Sequence, residues 1–146
     1  MATTEKWIRG NVSTLLPTGA SSTSLANNTS RPAQAYSVGS GYIAAQVEFY
    51  AGGTFSAAPT ASTGMSLWFL RQGDGATFED GSSVTTPARV PDVVFPLRAC
   101  DSAQRITRDC MLPPGTIKPL IRNDGSGVTL TSGWTLKILP QTRQSV

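Results

Sequence analysis

The stretch Gly41-Tyr42-Ile43-Ala44-Ala45-Gln46-Val47-Glu48-Phe49-Tyr50-Ala51 decides the fold class. Its apolar and polar residues alternate: one face would carry Ile43, Ala45, Val47 and Phe49, and the other Ala44, Gln46 and Glu48. Such alternation is typical of a β-strand with one buried face and one face in water. We therefore predict a strand over 41–51 whose apolar face packs on a core.

Further strands are predicted on both sides of this one, separated by turns rich in glycine and proline. Residues 64–71 are apolar on both faces at their centre, which indicates a strand that is buried on one side and covered on the other. Gln72-Gly73-Asp74-Gly75 predicts a hairpin that returns through 76–79. The remaining strands are expected at 93–98, 104–112, 116–122 and 134–139, with a short alternating segment at 128–130.

Two of these strands depend on particular residues. Pro96 lacks an N–H donor, so the strand at 93–98 is expected at a sheet edge or with a bulge. The window that follows also permits a helix, because apolar residues from Ala99 to Cys110 recur at helical spacing. We predict a strand over 104–112, since the β-branched residues Ile106 and Thr107 lie at its centre.

The two ends of the chain lack this regularity. Residues 1–35 hold a few apolar side chains in a polar background, which predicts an extended N-terminal arm that packs on something else, with one or two turns of helix at 21–28. Residues 141–146 are predicted to fray. The whole pattern predicts an all-β fold, a β-sandwich or jelly roll of about eight short antiparallel strands. We expect a single domain over 1–146, with the arm at 1–35, the sandwich at 36–140 and the tail at 141–146.

The composition excludes the commonest catalytic machinery. The 146 residues include no His, which removes Ser-His-Asp triads, Cys-His dyads and histidine zinc sites. Cys100 and Cys110 are too far apart for a C-x-x-C motif, so we expect reduced, packed thiols, with a disulfide across a hairpin as the alternative. We therefore expect that the chain is not an enzyme and holds no metal and no cofactor.

Three short motifs suggest chemistry but have simpler interpretations. Gly39-Ser40-Gly41-Tyr42-Ile43-Ala44 fits the dinucleotide pattern G-x-G-x-x-A, yet its glycines precede a strand instead of joining a strand to a helix. Glu79 and Asp80 are adjacent, so on a strand they would point to opposite faces and could not easily flank one glycosidic bond. Asn123-Asp124-Gly125 is interpreted as a hairpin turn and not as a calcium loop.

The charge pattern gives weak information about partners. The net charge is +3, from 12 basic and 9 acidic residues, and the basic excess lies in the half that begins at Arg89. This half is either a solvated sheet face or a surface that meets an acidic protein or a phosphate backbone. The N-terminus lacks an apolar leader and no stretch approaches about 18 apolar residues, so we expect cytosolic synthesis and no membrane partner.

Six residues are the candidate contacts to a partner. Most aromatic side chains fit a sandwich core better than a base-stacking platform. Trp7 is the exception, because it lies in the arm and outside the sheet pattern. We predict that Trp7 anchors the chain to a partner subunit, with its neighbours Lys6, Ile8 and Arg9 as further candidate contacts. In the positive half, Arg105 and Arg108 are the predicted contacts to an acidic surface or a phosphate backbone.

The order of short phrases along the chain carries a resemblance. The phrases are Ser24-Leu25-Ala26-Asn27-Asn28, the strand at 41–49, Ala58-Pro59-Thr60-Ala61, Asp74-Gly75 with Glu79-Asp80-Gly81, Phe95-Pro96-Leu97, Gln104-Arg105 and Leu112-Pro113-Pro114-Gly115. Their layout, over about residues 24–144, resembles that of small virion structural proteins of tailed bacteriophages, and in particular of jelly-roll capsid decoration (cement) proteins.

The resemblance implies a mechanical function. A capsid decoration protein binds the major capsid protein on the outer surface of the shell and stabilises it. The resemblance further implies self-association as a homotrimer, a place in the virion after assembly in the host bacterial cytoplasm, and no nucleic-acid partner. Two alternatives stay open: a head-vertex, tail or host-attachment component, and a single-stranded nucleic-acid binder that uses Arg105 and Arg108.

Overall fold

The computed structural model describes residues 4–15, 24–52, 55–60, 63–131 and 133–145. They form ten strands: β1 (Glu5–Arg9), β2 (Ser13–Thr14), β3 (Ser30–Pro32), β4 (Tyr36–Ser37), β5 (Ala44–Ala51), β6 (Gly64–Arg71), β7 (Val93–Pro96), β8 (Gln104–Met111), β9 (Thr116–Asp124) and β10 (Trp134–Ser145). Within these ranges, no helix has the length and apolar character needed to cross a membrane.

The strands build two antiparallel sheets that pack face to face. The first sheet has the order β1-β10-β5-β8, with β2 also paired to β10. The second has the order β3-β9-β6-β7, with β4 also paired to β9. If the two-residue strands are set aside and the rest are numbered along the chain, the orders become 1-8-3-6 and 2-7-4-5, which is a jelly roll. The predicted all-β sandwich or jelly roll is confirmed.

The alternation of apolar and polar residues that predicted β5 matches the burial of its side chains. Ala45, Val47 and Phe49 are buried against the second sheet, whereas the alternate residues of β5 are half-exposed on the opposite face. The Phe49 ring lies 5.7 Å from Phe95 and 6.4 Å from Trp134, so aromatic side chains from both sheets meet at the centre. The strand begins at Ala44, three residues later than predicted.

The prediction that β6 is buried on both sides is confirmed. Met65, Leu67 and Phe69 point into the core between the sheets. Trp68 and Leu70 point the other way, and a second small apolar cluster covers them.

The hairpin after β6 forms as expected through Gln72-Gly73-Asp74-Gly75, and Gln72 bridges to Phe78. The Asp74 carboxylate accepts hydrogen bonds from the main-chain N–H groups of Thr77 (2.6 Å) and Ala76 (2.9 Å). These bonds lower the pKa of Asp74 to about 2, because they favour the charged carboxylate.

The two strands that depended on single residues are also confirmed. β7 is an edge strand of the second sheet, as Pro96 predicted, and it ends at Pro96. The ambiguous window forms the strand β8 and not a helix, because it pairs along its whole length with β5.

The structure corrects the predictions for both ends of the chain. The segment predicted as an arm supplies β1, β2 and β3, and β1 pairs with β10 over Glu5–Arg9. The predicted frayed tail is the end of β10, which continues to Ser145 because β1 provides its partner. Residues 1–3 and 16–23 of the predicted arm lie outside the described residues.

The predicted helical turns around Leu25 are wrong for the described part of that segment. Leu25 forms an isolated antiparallel bridge with Leu130, and Asn28 adopts a left-handed turn conformation with φ of 58°. Residues 21–23 of this prediction lie outside the described ranges. In the alternating segment 128–130, Leu130 forms two isolated antiparallel bridges, to Leu25 and to Phe55, and the segment does not form a full strand.

Candidate binding face

The two sheets differ in what covers their outer faces. On the second sheet, the outward side chains of Trp68, Leu70 and Leu120 are buried beneath residues 78–90, which we call the cover segment. Phe78 packs against this cluster. A Cβ atom at Gly81 would lie 2.9 Å from the Leu70 side chain, so the segment passes very close to the sheet. This outer face is therefore occupied by the chain itself.

Arg89 holds the cover segment in place through charged hydrogen bonds. Its guanidinium donates to Asp92 at 2.8 Å, to Glu79 at 3.0 Å and to the carbonyl oxygen of Phe69 at 2.9 Å. The indole N–H of Trp68 donates to the carbonyl oxygen of Arg89 at 2.9 Å. The hydrogen bond from Arg89 lowers the pKa of Glu79, because it favours the charged carboxylate. These contacts of Arg89 with Glu79, Asp92 and the main chain, which we call the latch, hold the cover segment against the sheet. The Glu79 carboxylate is therefore occupied by a structural ion pair.

The outer face of the first sheet is open, and we call it the open face. Side chains directly opposite each other in antiparallel strands share a face, so the register places the outward residues of β1, β10, β5 and β8 side by side. They are half-buried or exposed, and include Trp7, Arg9, Ala44, Gln46, Glu48, Tyr50, Arg105, Thr107, Asp109, Lys137, Leu139, Gln141 and Arg143.

Two shallow pockets lie on the open face. One, of about 270 Å³, is lined by residues that include Val12, Glu48, Arg105 and Lys137. The other, of about 490 Å³, is lined by residues that include Trp7, Arg9, Gln141 and Asp109. Gln46 lines both of them, so the two pockets are neighbours on a single surface.

The charges of the open face are partly paired. Arg105 donates to Glu48 at 2.6 Å, and its guanidinium lies 4.3 Å from the centre of the Tyr50 ring. The hydrogen bond to Glu48 raises the pKa of Arg105. The amide of Gln46 donates to Asp109 at 3.4 Å. Lys137 forms no ion pair within the described ranges, although it lies directly opposite Glu48 in the register.

Trp7 lies at one margin of the open face, on the edge strand β1. Its side chain is 54% exposed, and Arg143, the residue opposite it on β10, lies 5.9 Å from its ring centre. Arg143 also forms an ion pair with Glu5. A large exposed aromatic side chain beside charged groups is the kind of residue that carries binding energy at interfaces.

The structure brings together three of the six candidate residues. Trp7, Arg9 and Arg105 share the open face. Lys6 and Ile8 alternate with Trp7 on β1 and therefore point to the other side of the sheet.

Arg108 is opposite the buried residue Val47, so its side chain leaves β8 on the side opposite to that of Arg105. Arg105 and Arg108 therefore do not lie on one face, because residues three apart on a strand point to opposite faces.

Gln46, Lys137 and Leu139 were not predicted from the sequence as contacts, although Gln46 was placed on the polar face of its strand. The signal was available, since these residues alternate with buried residues on β5 and β10. The cross-strand neighbours could not be read from the sequence, because the sequence does not state which strands pair.

The other motifs are structural in the described chain. Gly41, with φ of 84°, lies in a turn that leads into β5, which agrees with the rejection of a dinucleotide site. Cys100 and Cys110 are both free thiols, and the disulfide considered as the alternative is not formed. Cys110 packs against the core, and burial raises the pKa of its thiol to about 12, with further contributions from Asp92 and Asp109.

No family model and no curated protein matches the sequence. Among solved structures, the chain is similar to CsCBM6-3 from Clostridium stercorarium, a structure in complex with cellobiose, with 11% identity and a TM-score of 0.32 over 97% of this chain and 87% of that chain. It is also similar to the enzymatically active domain of tailspike protein 4 of bacteriophage CBA120, with 13% identity and a TM-score of 0.35 over 97% of this chain and 19% of that chain. The fold assignment rests on the strand order and not on these distant likenesses.

Proposed function

We propose that this chain is a non-enzymatic structural protein of a tailed-bacteriophage virion that decorates the outer surface of the capsid by binding the major capsid protein. The observation that supports this function best is the difference between the two sheets. The cover segment occupies one outer face, whereas the other is the surface of a hydrogen-bonded, five-stranded sheet with no covering element among the described residues. A rigid, open sheet face is suited to bind another protein surface with little loss of conformational entropy.

The side chains of the open face fit a non-obligate protein interface. Such interfaces mix apolar and polar groups in about the proportion of an ordinary protein surface, and carry aromatic and arginine side chains at their strongest contacts. Here Leu139 and Val12 supply apolar surface, Trp7 and Arg105 supply the larger contact groups, and Gln46 supplies an amide. Each copy needs only moderate affinity if several bind together to a repeated lattice.

The charge of this face favours an acidic partner. Arg105 is paired with Glu48 and Arg143 with Glu5, whereas two basic residues, Lys137 and Arg9, and one acidic residue, Asp109, form no ion pair with other described residues. Unpaired basic groups on a docking face increase the rate of association with a negatively charged surface. We therefore propose that the docking site on the capsid is acidic.

The test is a charge reversal in the middle of the open face. Lys137→Glu should weaken co-sedimentation with undecorated phage shells by about tenfold and should slow association, because rim and face charges act mainly on the association rate. The matched control is Arg98→Glu, which makes the same type of change at an exposed residue just beyond β7 in the other sheet. Equal loss of binding in both variants would show that total charge, and not the open face, directs docking.

A further inference from the structure

The outer edge of β1 carries unpaired main-chain groups. β1 pairs with β10 on one side, and no described strand pairs with its other side. The N–H of Gly10 donates to the carbonyl oxygen of Pro140 at 2.8 Å, which shows that the main-chain groups of Gly10 point toward β10. Alternate residues of an edge strand point their main-chain groups toward the neighbour, so Ile8 and Lys6 also face β10. The main-chain groups of Glu5, Trp7 and Arg9 therefore point outward.

We propose that β1 pairs antiparallel with β1 of a second copy of this chain, across a two-fold axis that passes beside Trp7. In this register Trp7 lies opposite Trp7 of the second copy, and Glu5 lies opposite Arg9 of the second copy. The outward N–H and C=O groups of both strands are all paired, which gives about six main-chain hydrogen bonds. The two first sheets become one continuous sheet.

The side chains favour this register. Charged residues on an edge strand normally prevent pairing with another edge. Here the charges are self-complementary, because an antiparallel pairing centred on Trp7 brings each Glu5 to an Arg9, and opposite charges on facing residues stabilise a strand pair. A shift by two residues would bring Arg9 opposite Trp7 and would lose both ion pairs. A shift by one residue would place the outward main-chain groups out of phase.

The same residues lie on one face of the joined sheet. Glu5, Trp7 and Arg9 share the open face with Arg143, which already contacts both Glu5 and the Trp7 ring. Trp7 is 54% exposed in one copy, and its side chain would gain the second copy's indole as a neighbour. Arg9, which lacks an ion-pair partner among the described residues, would gain Glu5 of the second copy.

This pairing goes beyond the proposed function, because it takes place in the isolated protein without any capsid. It would place the two open faces side by side and so provide two linked docking sites. It also differs from the homotrimer that the resemblance implies, since a two-fold interface that uses the same surface twice closes at two copies.

The first experiment measures the mass of the full chain by sedimentation equilibrium over a range of concentrations. We expect a reversible dimer. Arg9→Glu places Glu opposite Glu5 at both ends of the interface and should raise the dimer dissociation constant at least about tenfold. Glu5→Arg should do the same. A mixture of the two variants should form dimers again, because each Arg then meets a Glu only in the register centred on Trp7.

The second experiment tests the register by cross-linking and does not depend on charge. Facing residues of a hydrogen-bonded antiparallel pair have Cα atoms about 5.5 Å apart, within the range of a disulfide. Trp7→Cys should therefore form a linked dimer on mild oxidation. Lys6→Cys should not form a linked dimer, because Lys6 would lie opposite Ile8 of the second copy. The wild-type chain is the control for any cross-link through Cys100 or Cys110. A monomer or a trimer at all concentrations, or equal cross-linking at positions 6 and 7, would overturn the proposal.

Discussion

Replacement of Arg89 by Met tests how the cover segment is held on the second sheet. Arg89 donates hydrogen bonds to Asp92, Glu79 and the carbonyl oxygen of Phe69 at 2.8–3.0 Å. Hydrogen bonds to charged groups contribute about 1.5–3 kcal/mol each when they are shielded from water. The side chains of Arg89 and Glu79 are 27% and 36% exposed, so solvent reduces this contribution. We expect a loss of about 2–3 kcal/mol in the free energy of unfolding, after this screening is included.

The effect of Arg89→Met should depend on pH. Arg89 lowers the pKa of Glu79 in the folded protein, so the ion pair contributes stability that is present above the unfolded pKa of Glu and is lost as the pH falls through the folded value. The unfolded pKa of Glu is about 4.3. The difference in stability between the wild type and Arg89→Met should therefore be largest near neutral pH and should shrink below about pH 4.

Urea unfolding at several pH values measures both quantities. Thermal unfolding should show a decrease in Tm of about 5–10 °C for Arg89→Met at neutral pH, given about 2–4 °C per kcal/mol for a domain of this size. The control is Arg98→Met, since Arg98 is exposed and its side chain forms no ion pair among the described residues. The latch would be refuted by a loss under about 0.5 kcal/mol, or by a loss that is the same at acid and neutral pH.

Three further changes have defined outcomes. Asn123→Ala removes a buried amide that donates to the carbonyl oxygens of Leu25 (3.1 Å) and Val128 (2.8 Å), and should cost about 2–4 kcal/mol in urea unfolding; a loss under about 1 kcal/mol would contradict this role. Gly81→Val should lift the cover segment and raise hydrogen exchange over residues 79–90, and unchanged exchange there would show that the close approach is not tight. Because the pKa of Cys110 is raised to about 12, its thiol should react slowly with iodoacetamide at pH 8 until the protein unfolds, and Cys110→Ser should remove this slow phase; fast reaction of the folded thiol would argue against its burial.

The central strands could be predicted from the sequence because each has a regular pattern. In β5, small and large apolar residues alternate with polar ones, and the core is built from those apolar positions. In β6, side chains such as Trp68 and Leu70 occupy the face away from the core, and their apolar character predicted the cover before its residues were known. The position of Pro96 predicted the edge.

The ends of the chain could not be predicted in this way. β1 and the last residues of β10 lie at a sheet edge, where both faces hold polar side chains and no apolar period is needed. Their pairing joins the two ends of the chain, and local sequence carries no information about such a distant partner. Trp7 was predicted to contact a partner because it lies outside the alternating pattern, yet its place on a paired strand could be seen only in the structure.

The candidate site was predictable only in part. Side chains alternate between the two faces of a strand, so their positions along β8 would have placed Arg105 and Arg108 on opposite faces. The same alternation along β10 would have identified Lys137 as an outward residue. What the sequence could not supply is the order of the strands. That order brings Lys137 opposite Glu48 and extends the surface from β8 to Trp7 at the other edge.

The measurement that tests the proposed function most directly is sedimentation of the purified protein with undecorated shells of a tailed phage, with the number of bound copies at saturation as the readout. We predict saturable binding with a copy number that matches the repeating lattice of capsid subunits, and weaker binding of Lys137→Glu than of Arg98→Glu. Binding restricted to the few vertex or tail positions of each shell, or no binding at all, would contradict the decoration function and would favour a vertex, tail or attachment component.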